Sequence, residues 1–266
     1  MVFFQNLCLV IALAGANPLP KGPSFTPSFG SGLPSLPTAT PSFAPGLTPF
    51  PSGTPSLPTG LPSFTPKGVS GSSPLVARDE FGSSTQNGLT DGTACKKVSL
   101  IFARGTSEQG NMGSVVGPPL ASHLASAIGS GNLAVQGVEY SASAAGAASG
   151  GDASGASKMT SLADDVVKKC PDTQVVLGGY SQGAQLVHKA GSSIASSTAA
   201  QVKAVVVFGD PLKGQAIKNI DSGIVKTYCH EGDEVCSGTF VITQAHLTYG
   251  DDTPDAASFI KGKVTV

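Results

Sequence analysis

The sequence predicts a three-layer α/β/α domain built on a central, mostly parallel five-stranded sheet, preceded by a disordered Pro/Ser/Thr-rich region. Two observations carry this expectation. Between residues 87 and 266, β-branched apolar runs alternate with helix-favouring segments, whereas fourteen of the twenty prolines crowd into the stretch from Pro18 to Pro66. Alternating strands and helices connect by crossovers, which makes neighbouring strands parallel and covers both faces of their sheet. The proline-rich stretch cannot build a core, because each proline removes a backbone donor and fixes φ.

Residues 1–16 read as a secretory signal peptide, with an apolar core from Leu7 to Ala14 and small residues at Ala14 and Ala16. The run is too short for the roughly 20 residues that a membrane span needs. Residues 17–86 form a degenerate repeat of Pro-Ser-Phe and Pro-Ser-Leu units, expected to be an extended linker or propeptide. Its Ser and Thr beside Pro suit O-glycosylation, and Arg78-Asp79 suits processing. Residues 87–266 make the catalytic-sized domain. Val98 to Phe102, Leu133 to Val138, Gln174 to Leu177, Val202 to Phe208 and Ile224 to Tyr228 read as strands. Pro119 to Ile128, Met159 to Lys169, Gln182 to Ile194 and Pro254 to Lys261 read as helices. Ser141 to Ser157, rich in Gly, Ala and Ser, reads as a surface loop.

Charge and cysteine usage narrow the function. A net charge of −1, with no basic cluster larger than Lys96-Lys97 or Lys168-Lys169, offers nothing to nucleic acid. The expected state is a soluble, extracellular monomer. Removing the signal peptide removes Cys8 and leaves Cys95, Cys170, Cys229 and Cys236, an even set that suits two disulfides in an oxidising compartment. No C-x-x-C pair points to a metal, and no cofactor is implied.

The chemistry centres on Gly179-Tyr180-Ser181-Gln182-Gly183, between the apolar run Val175 to Leu177 and a helix-favouring one. A serine on a sharp strand-to-helix turn needs small residues two positions to either side, where neighbouring backbones come close. A serine hydroxyl attacks only when a neutral imidazole takes its proton, and a carboxylate must orient that imidazole. The chain order Ser, Asp, His is the one expected of α/β-hydrolases. His123 and His188 fall within helices and read as partly exposed. His246 has the best position, and His230 competes with it. Asp210, before Pro211, and Asp233, within Cys229-His-Glu-Gly-Asp-Glu-Val-Cys236, compete as the acid. A bridge between Cys229 and Cys236 would close an eight-residue ring, hold Asp233 rigidly and contribute about 2.5 kcal/mol.

Four segments resemble the signature blocks of fungal cutinases, in the family's order: Phe102-Ala-Arg-Gly-Thr-Ser-Glu-Gln-Gly-Asn111, Gly178-Gly-Tyr-Ser-Gln-Gly183, Cys229-His-Glu-Gly-Asp-Glu-Val-Cys236 and His246-Leu-Thr-Tyr249. The resemblance implies Ser181 as nucleophile, Asp233 as acid and His246 as base, with an oxyanion hole from Gln182 and Thr106. It implies the pairs Cys95–Cys170 and Cys229–Cys236, and it places Phe240, Ile242 and Leu247 beside an open, lidless cleft. Two departures stand out. Thr106 replaces a frequent Ser, and Tyr140-Ser141-Ala142 lacks the family's usual central proline, which leaves that loop less fixed. The activity implied is hydrolysis of cutin or similar aliphatic polyesters through an acyl-enzyme. An acetylxylan esterase shares the fold and triad and is the nearest alternative. From another class, the alternative is a wall-associated or host-recognised surface protein whose Pro/Ser/Thr region carries the function.

Overall fold

The computed structural model describes residues 80–266. The expected signal peptide, the proline-rich repeats, Cys8 and the expected processing site Arg78-Asp79 lie outside the described residues. Five strands form one sheet: β1 (Val98–Ala103), β2 (Leu133–Gly137), β3 (Gln174–Tyr180), β4 (Val202–Phe208) and β5 (Val225–Tyr228), in the order β2-β1-β3-β4-β5. All four pairings are parallel. Strands β1 to β4 are almost wholly buried because helices cover both faces, so their sequences run largely apolar, whereas the edge strand β5 is mostly half-buried or exposed and carries Lys226 and Thr227.

Alternate residues of each strand divide between two cores. Val98, Leu100 and Phe102 of β1 face the side covered by α1 (Gly117–Ile128) and α6 (Thr253–Lys261), packing with Leu120, Leu124 and Ile260. Ile101 and Ala103 face the side covered by α3 (Ala153–Lys169) and α4 (Gln182–Gly191), packing with Met159, Leu162 and Leu186. The smaller helices α2 (Ala144–Ala148) and α5 (Ser196–Gln201) complete the layers. No helix among the described residues is long and apolar enough to cross a membrane.

Both expected disulfides are present. Cys95–Cys170 ties the segment before β1 to the C-cap of α3 across a sequence separation of 75, a loop whose closure entropy is worth about 4 kcal/mol. Cys229–Cys236 closes the short loop after β5.

Three expectations need correction. The segment Ser141–Ser157 is not one surface loop. It holds α2, capped where Ser143 Oγ accepts from the Gly146 N–H at 3.1 Å, and the first turn of α3. That turn starts at Ala153, six residues before the expected Met159, because Asp152 Oδ1 accepts from the Gly155 N–H at 2.7 Å and so caps it. Gly155 can join the helix there since its missing Cβ would lie 2.8 Å from Leu186 Cδ2 and 2.9 Å from Tyr140 Cβ. The loop around Ser141 lacks proline but is tied down otherwise: Ser141 Oγ donates to Asp152 Oδ2 at 2.9 Å, and the Ala142 carbonyl accepts from the Ser107 N–H at 2.8 Å.

The third correction concerns where packing begins. Phe81 is buried in the core beneath α1 and α6, six residues before the expected boundary at Asn87. The arm that follows runs along the sheet edge. The Ser84 carbonyl accepts from the N–H groups of Asn111 and Met112, the Gln86 carbonyl accepts from Gly137, and the Gly88 N–H donates to Val135. A lone Phe downstream of many Pro-Ser-Phe units gave no sign that it was buried. Phe81→Ala should lower the unfolding free energy by about 3 kcal/mol, measured by denaturant titration. A chain starting at Asn87 should show a loss at least as large.

Candidate active site

The turn between β3 and α4 carries Ser181 alone, with φ 56° and ψ −119°. A non-glycine residue held there stores about 1–3 kcal/mol of strain. The surroundings hold it in place: the Ser181 N–H donates to the Phe208 carbonyl at 2.9 Å, and its own carbonyl accepts from Ala184 at 2.9 Å. Glycines make the turn possible. A Cβ on Gly179 would lie 2.4 Å from the Gly183 carbonyl oxygen, and one on Gly183 would lie 2.0 Å from that of Ala103. Backbone cannot yield as a flexible side chain does, so both positions exclude any other residue.

The chain that follows β5 brings the partners of Ser181 to it. His246 Nε2 is 3.0 Å from Ser181 Oγ, and His246 Nδ1 is 2.9 Å and 3.1 Å from the two oxygens of Asp233. All three side chains are buried. Asp233 also accepts from the Val235 N–H at 3.0 Å and from the Tyr249 hydroxyl at 2.5 Å. Burial pushes the Asp233 carboxyl up, but donation from Tyr249 and His246, the His246 charge and the Val235 N–H together outweigh it and hold the group below the ordinary carboxylate value. Burial, reinforced by donation to Asp233, pushes the Tyr249 hydroxyl up, so it remains a donor. The imidazole is boxed as well as bonded. Tyr180 stacks on it at 5.1 Å between centroids and donates to the His246 carbonyl at 2.8 Å. Gly209, at φ 53°, lies beneath the ring, where a Cβ would be 2.6 Å from its Cε1.

The competing residues lie elsewhere. His188 is buried rather than partly exposed, because α4 is enclosed along most of its length, and it satisfies itself on Asp210 Oδ2 at 2.9 Å. That pairing occupies Asp210. His230 Nε2 lies 2.6 Å from Asp252 Oδ2 and does not bond Ser181. Among the described residues, no group of three or more His, Cys, Asp or Glu side chains is gathered as metal ligands.

Beside Ser181 sits the pair assigned to the oxyanion. Gln182 is the first residue of α4, so its N–H is one of those a helix leaves without an internal partner. Its side-chain amide donates to Thr106 Oγ1 at 2.9 Å and to the Ser143 carbonyl at 2.9 Å. Accepting from Gln182 leaves the Thr106 hydroxyl hydrogen free to point at a substrate. Arg104 holds that loop: its guanidinium donates to the carbonyls of Glu108, Val138 and Tyr140, and the Glu108 carboxylate accepts from Gly105, Ser114 and Val115. Ser181, Thr106, Gln182 and His246 open into a cleft of about 590 Å³. Its lining includes Ala144, Ala147 and Ala148 of α2 and Pro211, Val235, Phe240, Ile242 and Leu247. Phe240, Ile242 and Leu247 stay about half exposed at its rim.

Sequence reasoning missed Tyr249, Tyr180, Gly209, Arg104 and Glu108. The signal existed for Arg104, since a charged residue directly after a largely apolar strand has to find partners or water, and for Glu108, the carboxylate next in the same loop. Tyr249 closed a signature block without a role.

A serine on a strained strand-to-helix turn, hydrogen-bonded through histidine to a buried carboxylate at the carboxyl ends of a parallel sheet, defines a serine hydrolase of the α/β class. A family model described as Cutinase matches residues 94–264. Cutinase 4 of Emericella nidulans is 52% identical over 181 residues, covering 67% of this chain and 77% of that protein. A cutinase of Botryotinia fuckeliana is 43% identical over 174 residues, covering 65% of this chain and 86% of that protein. The solved Trichoderma reesei cutinase in complex with a C11Y4 phosphonate inhibitor is similar at a TM-score of 0.65 and 36% identity, over 73% of this chain and 90% of that one. The chain belongs to the cutinase family and is a serine ester hydrolase.

Asp233 is held below its ordinary value, so the stability it contributes is present above the unfolded carboxylate value and is lost as pH falls through the folded one. Tyr249→Phe removes one of the interactions that lower it. The acid edge of thermal stability should therefore move to higher pH, read from melting midpoints across an acid titration.

Proposed function

We propose that the protein is a secreted esterase that hydrolyses ester bonds of cutin or related aliphatic polyesters through an acyl-enzyme on Ser181. The observation that carries this reading is the 3.0 Å contact between Ser181 Oγ and His246 Nε2 at the floor of an apolar cleft. His246 takes the hydroxyl proton as Oγ attacks the ester carbonyl. Asp233, on Nδ1, fixes the tautomer and stabilises the imidazolium. The negative charge on the carbonyl oxygen is met by the Gln182 N–H and by Thr106. His246 then protonates the leaving alkoxide, the C–O bond breaks, and the acyl group stays on Ser181. Water enters, gives its proton to His246 and repeats the sequence, releasing the acid.

The cleft supports a substrate longer than acetate. Its lining includes alanine, proline, valine, isoleucine, leucine and phenylalanine side chains, and each methylene of an acyl chain buried against them gains about 0.8 kcal/mol. Half-exposed Phe240, Ile242 and Leu247 at the rim suit a chain that remains attached to an insoluble polymer. The N-terminal apolar run supports secretion, and the two disulfides suit an oxidising compartment. The stretch from residue 17 serves as linker or propeptide and ends where Phe81 joins the domain.

Loss of one oxyanion donor costs on the order of 10²- to 10³-fold in rate. Thr106→Val should lose kcat on that scale with KM little changed, whereas Thr106→Ser, which keeps the hydroxyl, should retain most activity on p-nitrophenyl butyrate.

The reading as a whole is tested with p-nitrophenyl esters from acetate to palmitate and with release of cutin monomers, comparing wild type with Ser181→Ala. Ser181-dependent hydrolysis of butyrate and cutin is expected. Activity confined to acetate would favour an acetylxylan esterase instead. No activity at all would leave a binding role for the chain.

A further inference from the structure

The Cys229–Cys236 loop carries a second histidine that the Ser181 relay does not use. His230 Nε2 lies 2.6 Å from Asp252 Oδ2, and Nδ1 lies 3.1 Å from the Ala245 carbonyl oxygen and 3.1 Å from Thr248 Oγ1. A carboxylate and a carbonyl only accept, so bonding Asp252 and the Ala245 carbonyl together requires both ring nitrogens to donate, as in the imidazolium, whereas a neutral ring keeps Nε2–H on Asp252 and meets only the Thr248 hydroxyl at Nδ1. The Thr248 hydroxyl fits the same count, because it donates to the Ala245 carbonyl at 3.2 Å and presents its oxygen to Nδ1 as a further acceptor.

The same ring leans on the rest of the relay. It stacks on Tyr249 at 4.2 Å between centroids, and the His230 N–H donates to the Tyr249 hydroxyl at 3.0 Å. That hydroxyl in turn donates to Asp233 at 2.5 Å. The titratable groups facing His230 are therefore Asp252 and Tyr249 from the 249–252 turn, Asp233 of its own loop reached through Tyr249, and, on the 244–247 turn, His246, the residue after Ala245. Glu231, Glu234 and Asp251 are exposed.

We propose that His230 is a positioning residue for the Ser181 reaction: bridging Asp252 and the Ala245 carbonyl, its imidazolium fixes the next residue, His246, against Asp233 and Ser181. Loss of one proton removes the Nδ1 hydrogen and turns a lone pair toward the Ala245 oxygen. The bond to the Ala245 carbonyl is then lost, the Thr248 hydroxyl remains as the partner of Nδ1, and His246 is held less closely. This rests on the esterase reading above.

The test measures kcat and KM separately on p-nitrophenyl butyrate from about pH 6 to pH 9, spanning imidazole titration, for wild type, His230→Asn and Asp252→Asn. Misplacing a reacting group by 1 Å costs up to about 100-fold, so a smaller shift should cost about tenfold. The wild-type to His230→Asn ratio of kcat should stand near that value at the acid end, with KM unchanged, and fall toward one at the alkaline end. Taking the ratio removes the pH dependence that both proteins share. Asp252→Asn keeps the ring and removes its anion, and it should move the fall to lower pH.

A ratio that does not vary with pH would overturn the proposal and leave His230 as packing. If His230→Asn does not fold, the Asp252→Asn profile decides, and a profile matching wild type overturns it. Absence of Ser181-dependent hydrolysis in wild type would overturn the esterase reading itself. An active wild type with a flat ratio would overturn only the role of His230.

Discussion

The backbone at Ser181 is the constraint from which the rest of the site follows. A serine at φ 56° puts its hydroxyl above the end of the sheet and leaves the first N–H of α4 pointing the same way. That geometry exists only because Gly179 and Gly183 let three backbone segments, β1, β3 and α4, approach within distances that no Cβ tolerates. The strain is carried by the sheet and its two cores. β3 pairs on both sides, and the residues flanking the turn are buried, so the turn cannot relax without breaking the central strand.

The second half of the site is built from irregular chain, and its precision comes from a polar network rather than from secondary structure. Asp233 sits in a loop closed by Cys229–Cys236, and His246 sits in a single turn of 3₁₀ helix. Neither element is rigid alone. Tyr180, Tyr249 and Gly209 supply a slot for the imidazole, and Tyr249 joins Asp233 to the His230 pair. A buried carboxylate costs free energy unless its lone pairs are used. Asp233 uses them on His246, Tyr249 and Val235, so it stays ionised beside the histidine whose charge it must balance.

Much of this was legible in the chain. Apolar runs located β1 to β4 because a sheet covered on both faces demands them, β-branched residues marked the edge strand β5, and Gly-x-Ser-x-Gly located the turn because its steric demand falls on particular residues. Asp233 and His246 were separable from Asp210 and His230 only through the family resemblance, since their competition depends on how loops fold. The same limit hid His188. A histidine on a helix reads as half exposed unless its partner, here 22 residues away on Asp210, is known. The segment Ser141–Ser157 misled through composition: small residues suggested a loop, while caps from Ser143 and Asp152 make helices of it. Phe81 lay hidden in a repeat whose other phenylalanines look identical.

The central claim is that Ser181 alone is activated by His246 and Asp233. Incubation with an activated phosphonate ester, which traps a nucleophilic serine covalently, followed by intact-mass and peptide mapping, tests it most directly. One adduct per chain on Ser181, abolished by His246→Ala, is the result the relay predicts. Labelling of another serine, or labelling of Ser181 that persists without His246, would contradict it.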